Sequence, residues 1–281
     1  MTLNIAFGMA LHSGNVIYAH RKYPAMSFFI NKIMQHASFL LCLIFATSAG
    51  AQESIIKNIV LVHGAFTDGS SWSAVTALLQ AKGYNVTAVQ NPLTSLNDDV
   101  AATERVLQRQ HGDVLLVGHS WGGAVITQAG NAENVKGLVY LSALVPDSGE
   151  SVTDTLTRLN APMSGMQPDN NGLIWLDNPE MFQNVMANDL PEPQARLLAA
   201  AQQPIAAKAF NEKVNHAAWR NKPSWYLVTE NDKALNPAVQ NLLAREAGAN
   251  ITHLPSSHMS MVSHPKDVAA LIDKAAHNLK Q

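Results

Sequence analysis

Cysteine, long apolar runs and clusters of like charge are what this sequence lacks. Its 281 residues contain one cysteine, Cys42, so the chain beyond it can form no disulfide, cysteine nucleophile or cysteine-based zinc site. No stretch reaches the roughly 18 consecutive apolar residues of a membrane-spanning helix. The formal charge is −2 and no basic run is present, which gives no electrostatic case for a nucleic-acid partner.

What is present is enough apolar material for a folded domain. Hydrophobic residues make up 47% of the chain and charged residues 14%. That composition, at this length, is typical of one globular domain with a sizeable core.

The first 51 residues resemble a leader rather than part of that core. Lys32 is followed by a short apolar run at 37–46 and by small residues at 47–51, which is the order of regions in a secretory signal peptide. We place the signal at about residues 26–51, with cleavage after Ala51. A buried helix or a retained anchor is the alternative interpretation.

Export is the expected consequence of such a signal. The protein is then periplasmic or secreted in a bacterium, and is not stably inserted in a membrane once the signal is removed. Residues 1–25 resemble neither a signal nor a fold, so we expect translation to begin at Met26 or Met34. The folded domain is predicted to occupy residues 52–281.

Strand and helix patterns alternate through the first half of that domain. Short β-branched or apolar runs are each followed by an amphipathic stretch, and this order predicts a parallel α/β sheet with right-handed crossovers. The helix that bears Val100 is predicted to be capped by Asn97 or Asp98. The first predicted strands are 57–62, 84–89, 114–117 and 135–141.

The alternation stops after the fourth strand. Residues 144–221 are polar, punctuated by Met and Pro and only patchily helical, and an insertion of this length inside a domain is usually functional. We expect a cap there whose Met and aromatic side chains, among them Trp175, form an apolar roof. Two more predicted strands follow, at 224–229 and 251–254.

The chain around residue 120 carries the strongest functional signal. The segment Gly118-His119-Ser120-Trp121-Gly122-Gly123 lies between a predicted strand and a predicted helix. It contains G-x-S-x-G, the pattern of a nucleophile elbow. Small neighbours let the two elements close into a sharp turn that exposes the Ser120 hydroxyl. The imidazole of His119 should diverge from the serine, so we predict a structural role for it. A turn without catalytic function is the other interpretation of the motif.

A serine nucleophile needs a base and an acid that orients the base. In open parallel sheets the site lies beyond the carboxyl ends of the strands. His258, after the last strand, is therefore the predicted base, and Asp232, after the preceding strand, is the predicted acid. Asp147, after the fourth strand, is the second choice for the acid.

The oxyanion of a serine reaction needs two N–H donors. One is expected from the backbone of Trp121 and the other from the loop after the first strand, where Gly64 permits a close approach. Ala65 is the first choice in that loop and Phe66 the second. The sequence has no metal-ligand cluster, Walker loop or dinucleotide-binding glycine pattern. Neither a metal nor an organic cofactor is predicted.

With His63-Gly64-Ala65 and Ser257-His258-Met259, these motifs resemble the α/β-hydrolase superfamily, and within it the small methylesterase and hydroxynitrile lyase branch with its bacterial esterase relatives. The resemblance covers nearly all of residues 57–279. It implies an α/β-hydrolase fold with a mostly parallel sheet flanked by helices and a helical cap after the fourth strand. Two leading strands of the superfamily have no room here, so we expect six strands. The site residues that it implies are Ser120, Asp232, His258, Ala65 and Trp121.

The resemblance also implies a cofactor-free serine hydrolase whose partner is a small-molecule ester. Phe66, Trp175 and Met259 are expected to line a pocket that takes a small or medium apolar ester. In the lyases of this branch a lysine follows the catalytic histidine, whereas here Met259 does, as in the esterases. Lyase chemistry on the same triad, or a ligand-binding receptor of the same fold, are the alternative functions.

Overall fold

Six parallel strands form the centre of the computed structural model, which describes residues 55–163 and 165–279. The described residues belong to one structural unit, Glu53–Gln281. The predicted leader and signal peptide lie outside the described residues, so they stay predictions. The strands of the sheet are β1 Asn58–Val62, β2 Asn85–Val89, β3 Val114–His119, β4 Val135–Leu141, β7 Ser224–Thr229 and β8 Asn250–Leu254.

The sheet follows the order β2-β1-β3-β4-β7-β8, and every neighbouring pair runs in parallel. Every residue of β1, β3 and β7 is buried, as expected for central strands with helices on both faces. Val62 pairs with Gly118, and Leu141 pairs with Leu227, so the carboxyl ends of the central strands lie side by side. The six-stranded sheet flanked by helices confirms the predicted fold class.

Helices follow the strands and supply the covering layers. None of the described helices combines the length and apolarity that crossing a bilayer requires. The helices are α1 Ser73–Ala81, α2 Leu96–Leu107, α3 Trp121–Ala129, α4 Val152–Arg158, α5 Pro179–Met186, α6 Glu192–Ala200, α7 Pro237–Glu246, α8 Ser260–Ser263 and α9 Pro265–Asn278.

Helix α2 begins earlier than predicted. Its cap is Ser95, whose hydroxyl accepts a hydrogen bond from the N–H of Asp98 at 2.9 Å, rather than Asn97 or Asp98. The reason is that Leu96, which looks like loop in the sequence, is a buried residue of the first helical turn. The correct start places Asp99 on the buried face of the helix.

The chain between β4 and β7 carries α4, α5 and α6 and a short antiparallel pair, β5 Leu173–Ile174 with β6 Ile205–Ala206. It is anchored to loops at the carboxyl edge of the main sheet. The N–H of Ala206 donates to the carbonyl of Leu93 at 2.9 Å, and the N–H of Met259 donates to the carbonyl of Met186 at 3.1 Å. This segment therefore packs against the loops that follow β2 and β8.

Candidate active site

Ser120 occupies a strained turn between β3 and α3. Its backbone has φ 51° and ψ −119°, a left-handed conformation that non-glycine residues rarely adopt. Three backbone hydrogen bonds hold it there. Its N–H donates to Leu141 at 3.1 Å, and its carbonyl accepts from Gly123 at 2.9 Å and from Leu144 at 3.0 Å. The strain is thus imposed by β4 and by the chain that follows it.

The glycines of the elbow are required by close backbone contacts. A Cβ on Gly122 would lie 2.5 Å from the carbonyl oxygen of Val62, and one on Gly123 would lie 2.4 Å from the carbonyl oxygen of Leu144. Real Cβ atoms are not found at such distances from backbone oxygens. Only glycine fits at these two positions, because α3 starts almost in contact with β1 and with the chain after β4.

His258 and Asp232 meet at the carboxyl edge of the sheet. His258 Nδ1 lies 2.7 Å from Asp232 Oδ2, and both side chains are almost completely buried. Since an ionised carboxylate only accepts hydrogen bonds, the proton of a neutral His258 lies on Nδ1. The lone pair of Nε2 is then free to accept a proton from another group, which is the state that a general base requires.

Four further donors fix the carboxylate of Asp232. Oδ2 accepts from the Thr229 hydroxyl at 2.7 Å and from Gln240 Nε2 at 2.9 Å, while Oδ1 accepts from the N–H groups of Ala234 and Leu235 at 2.8 Å each. Burial acts to raise the pKa of Asp232, but His258 and these hydrogen bonds outweigh it, and the pKa is lowered. Asp232 therefore stays ionised beside the imidazole.

Gln240 was not predicted from the sequence. It lies on α7, is completely buried, and also donates to the carbonyl of Leu235 at 2.7 Å. A buried amide on an otherwise apolar helix face is a signal that could have identified it, since buried polar groups need partners.

Asp147, the second choice for the acid, lies elsewhere. Its carboxylate pairs with Arg220, whose Nε lies 2.7 Å from Asp147 Oδ1, on the exposed surface. Hydrogen bonding to that guanidinium lowers the pKa of Asp147. Asp232, not Asp147, is the carboxylate in contact with His258.

Two side chains from neighbouring strand ends hold the backbone of His258. His119 Nε2 donates to the His258 carbonyl at 2.9 Å, and the hydroxyl of Ser142 donates to it at 3.3 Å. The rings of His119 and His258 lie 4.7 Å apart between centroids. Burial, followed by the nearby charge of His258, lowers the pKa of His119 well below its usual value, so His119 is neutral.

His119 also links Ser120 to the predicted base, His258. His119 is the residue before Ser120 in the chain, so the serine lies next to a side chain that contacts His258. Among the described residues no hydrogen bond joins Ser120 Oγ to His258. In many enzymes this bond is long in the absence of substrate and shortens in the substrate complex.

The loop after β1 reaches the elbow. A Cβ on Gly64 would lie 2.8 Å from Ser120 Cβ, and Phe66 takes a left-handed conformation with φ 60°. In the described part of the chain, no hydrogen bond is donated by the backbone N–H of Ala65, Phe66 or Trp121. The two predicted oxyanion donors, and the second choice in the loop, are thus not engaged by other protein groups.

His63 fixes the start of this loop by hydrogen bonds at both of its ring nitrogens. Its Nδ1 donates to the carbonyl of Gly64 at 2.8 Å, and its Nε2 accepts from the N–H of Asn91 at 2.9 Å. Burial lowers the pKa of His63, in agreement with this neutral tautomer. His63 holds the loop in place and is not available as a base.

The predicted pocket residues have different environments. Met259 and Phe66 are buried, and Met259 directly follows His258. Trp175 is 44% exposed and its indole donates to Asp169 at 3.1 Å. In the described structure no hydrogen bond or ring contact joins Trp175 to Ser120 or His258, so nothing links its indole directly to these two residues.

Within the described residues, no group of three or more His, Cys, Asp or Glu side chains is arranged to hold a metal ion. An open depression of about 590 Å³ is lined by polar side chains that include Asp113, Asn134 and Lys136. These residues stand where β3 and β4 begin, at the end of the sheet opposite to Ser120. The depression is therefore not part of the candidate site.

Comparison with known proteins gives a consistent result. The sequence pattern of the alpha/beta hydrolase family matches residues 59–271. The chain is 27% identical over 245 residues to the pyrethroid hydrolase of Sphingobium wenxiniae, covering 77% of this chain and 86% of that protein. It is 26% identical over 260 residues to the polyneuridine aldehyde esterase of Rauvolfia serpentina, covering 79% and 96%.

A solved structure shows the same fold. Tomato methylketone synthase I, in complex with 2-tridecanone, superposes with a TM-score of 0.70 at 22% identity, covering 81% of this chain and 100% of that one. The predicted resemblance to the methylesterase-like branch is confirmed by the polyneuridine aldehyde esterase and by Methylesterase 1 of Arabidopsis thaliana, to which the chain is 23% identical over 258 residues, covering 80% of this chain and 98% of that protein.

Proposed function

This chain belongs to the alpha/beta hydrolase family, and we propose that it is a carboxylic ester hydrolase acting through an acyl-enzyme on Ser120. Two observations carry the proposal together: the 2.7 Å contact between His258 Nδ1 and Asp232 Oδ2, and a serine on a strained strand-to-helix turn whose neighbour His119 hydrogen-bonds to the His258 carbonyl. Relatives named hydrolase and esterase support the same reaction class.

In the first half of the proposed reaction, Ser120 Oγ attacks the ester carbonyl carbon while His258 Nε2 takes the hydroxyl proton. The negative charge that forms on the carbonyl oxygen is stabilised by the N–H groups of Ala65 and Trp121. Asp232 stabilises the imidazolium. The tetrahedral intermediate then expels the alcohol, which receives its proton from His258, and leaves an acyl group on the serine.

In the second half, water replaces the alcohol. His258 Nε2 removes a proton from the water as its oxygen attacks the acyl carbon, and the same N–H pair stabilises the second oxyanion. Collapse releases the carboxylic acid and returns the proton to Ser120 Oγ. Every proton that His258 takes is given back in the same half-reaction, so no cofactor is needed.

The substrate that we propose is a small or medium apolar ester. The segment between β4 and β7 packs on the loops next to the triad, and we propose that it is a cap over the binding site. Its buried side chains are mostly apolar, including Phe182 and Met186, which favours an apolar acyl or alkyl group over a charged one. Met259, in place of a lysine, favours ester hydrolysis over lyase chemistry.

We also propose that the protein is exported, on the basis of the leader pattern in residues 26–51. Mass spectrometry of the protein recovered from the periplasm should find Gln52 at the amino terminus. Recovery of the intact chain from the cytoplasm would contradict export.

The test of the reaction is hydrolysis of a chain-length series of nitrophenyl esters by the chain and by its Ser120→Ala variant. We expect the variant to lose about 10³-fold or more in kcat, and the optimum length to measure the pocket. A circular dichroism spectrum of the variant checks its fold. If the parent chain is inactive, or if the variant equals it, ester hydrolysis on Ser120 is wrong, and the lyase or receptor functions become the better explanations.

A further inference from the structure

Asp99 is a fully buried carboxyl group that the proposed reaction does not use. It lies on α2 and its side chain has two short hydrogen bonds. Oδ2 accepts from the indole Nε1–H of Trp121 at 2.7 Å, and Oδ1 accepts from the backbone N–H of Leu93 at 2.8 Å. A buried carboxyl group is costly to place in a core unless its oxygens are satisfied, and here each oxygen holds a different part of the chain.

The first of these partners is directly involved in the proposed chemistry. Trp121 follows Ser120, is the first residue of α3, and supplies one of the two proposed oxyanion N–H groups. Its indole is almost completely buried and packs edge-on against the ring of Phe210, 5.2 Å away between centroids. Because the indole and the N–H belong to one residue, a group that fixes the indole also limits the orientation of the N–H.

The second partner leads to the segment between β4 and β7. Leu93 has φ 57°, an unfavourable conformation for a leucine, and its carbonyl accepts the N–H of Ala206 on β6 at 2.9 Å. Phe210, which packs on Trp121, belongs to the same segment. Asp99 therefore connects two parts of the site. It bonds directly to Trp121 of the elbow, and it bonds to Leu93, whose carbonyl is held by the proposed cap.

We propose that Asp99 is a positioning residue for the oxyanion N–H of Trp121, and that it ties this donor to the anchor of the proposed cap through Leu93. The inference rests on the proposed function for its effect on catalysis, but the effect on Trp121 itself can be measured without a substrate. The carboxylate accepts a donor at each oxygen, and an Asn side chain can satisfy only one of the two. If the hydrogen bond from the Trp121 indole is lost, the indole is free to move, and the backbone N–H of Trp121 is no longer held in its orientation.

The first measurement is nuclear magnetic resonance of the full chain labelled with ¹⁵N-tryptophan, which has five tryptophans. The signals of Trp121 are identified by their loss in Trp121→Phe. In Asp99→Asn we expect both the indole and the backbone N–H signals of Trp121 to shift. Leu107→Ala is the matched control, because it removes a fully buried side chain from the same helix at the end of the sheet opposite to Ser120. It should leave the backbone signal of Trp121 in place.

The second measurement is steady-state hydrolysis of the best nitrophenyl ester. A displaced oxyanion donor lowers kcat more than it changes KM, so we expect Asp99→Asn to lower kcat about tenfold or more with little change in KM. Trp121→Phe, which keeps the carboxylate and removes the indole N–H, should have a similar effect. If Asp99 acts through the indole, the double variant is no slower than the slower single variant. Leu107→Ala should keep the parent kcat at temperatures where it is folded.

An unmoved backbone signal of Trp121 in Asp99→Asn would overturn the proposal, whatever the activity. Effects of the two substitutions on kcat that multiply in the double variant would also overturn it, since they would then act independently. If Asp99→Asn does not fold, unchanged kcat in Trp121→Phe is the overturning result. A parent chain with no esterase activity would refute the proposed function alone, and the tryptophan signals would still decide the positioning role.

Discussion

The buried position of Asp99 predicts an unusual dependence of stability on pH. Burial raises the pKa of this carboxyl from 3.8 to about 6, although the hydrogen bonds from Trp121 and Leu93 act in the opposite direction. The folded protein then binds a proton at Asp99 that the unfolded chain releases between about pH 4 and pH 6. Stability from this group is therefore highest below its unfolded pKa and is lost as the pH rises through its folded pKa.

The size of the effect follows from the shift. A change of about two pKa units corresponds to about 3 kcal/mol in the free energy of unfolding, at about 1.4 kcal/mol per unit. Asp99→Asn removes the titration. It also leaves one of the two N–H donors facing an amide group, which costs about 1–3 kcal/mol, but that cost does not change with pH. The difference between parent and variant isolates the titration, since other groups are common to both.

Urea unfolding at a series of pH values from 4 to 7.5 measures this difference. We expect the stability of the parent relative to Asp99→Asn to fall by about 2.5 kcal/mol between pH 4 and pH 7, since the unfolded carboxyl is already partly ionised at pH 4. Asp154→Asn is the control, because the charge of Asp154 does not contribute to the shift of Asp99. Hydrogen bonds from Ser151 lower the pKa of Asp154, so its contribution to stability is lost as the pH falls, and the parent should gain relative to that variant as the pH rises.

A flat difference for Asp99→Asn would show that Asp99 titrates alike in the folded and unfolded chains. A difference that rises with pH would show that the two short hydrogen bonds outweigh burial and keep the carboxylate ionised. Either result refutes the reasoning. The charges of Asp98 and Glu212 also raise the pKa of Asp99. Neutralising Glu212 should therefore lower the pKa of Asp99 in the folded protein, and the loss of stability should be complete at a lower pH.

Three further substitutions have defined outcomes. Asp232→Asn should keep the fold but lower kcat by about 10⁴-fold, because the amide favours the wrong tautomer of His258. Ester kinetics measures the change in kcat, and a kcat near that of the parent would contradict the proposed triad. Gly122→Ala should lower both stability and activity, since its Cβ would lie 2.5 Å from the carbonyl oxygen of Val62; a Tm equal to that of the parent would contradict this contact. Phe182→Ala, at a completely buried position, should destabilise the protein by about 3–5 kcal/mol, measured by urea unfolding, and a loss below about 1 kcal/mol would contradict tight packing there.

The sequence was sufficient for features that depend on local pattern. The apolar strands, the glycine-rich elbow and the positions of Asp232 and His258 after their strands are all visible in short stretches, and parallel topology brings the strand ends to one edge. The structure places Asp232 against His258, whereas Asp147 pairs with Arg220.

What the sequence did not predict depends on contacts between distant segments. Asp99 and Gln240 look like ordinary polar residues of amphipathic helices, and only the fold shows that each is buried against Trp121 or Asp232. Trp175 was expected in the pocket because it is aromatic, but it is 44% exposed. The exposure of Trp175 depends on how the adjacent β5–β6 pair packs on the rest of the domain, and no local sequence pattern predicts that packing.

The pairing of β4 with β7 has a consequence for the order of folding. Leu138 pairs with Ser224 across the whole segment that carries α4, α5 and α6, so this contact must close a long loop, whereas β1 to β4 are joined by shorter connections. Closing long loops is slow because the entropic cost comes before the contacts form. We expect the serine elbow to form early and the strands that deliver Asp232 and His258 to dock late. During refolding, the part of the fluorescence change that comes from Trp72 and Trp121 should therefore recover before activity does. A newly made chain should hydrolyse no ester until the residues from Ser224 onward have docked on the sheet.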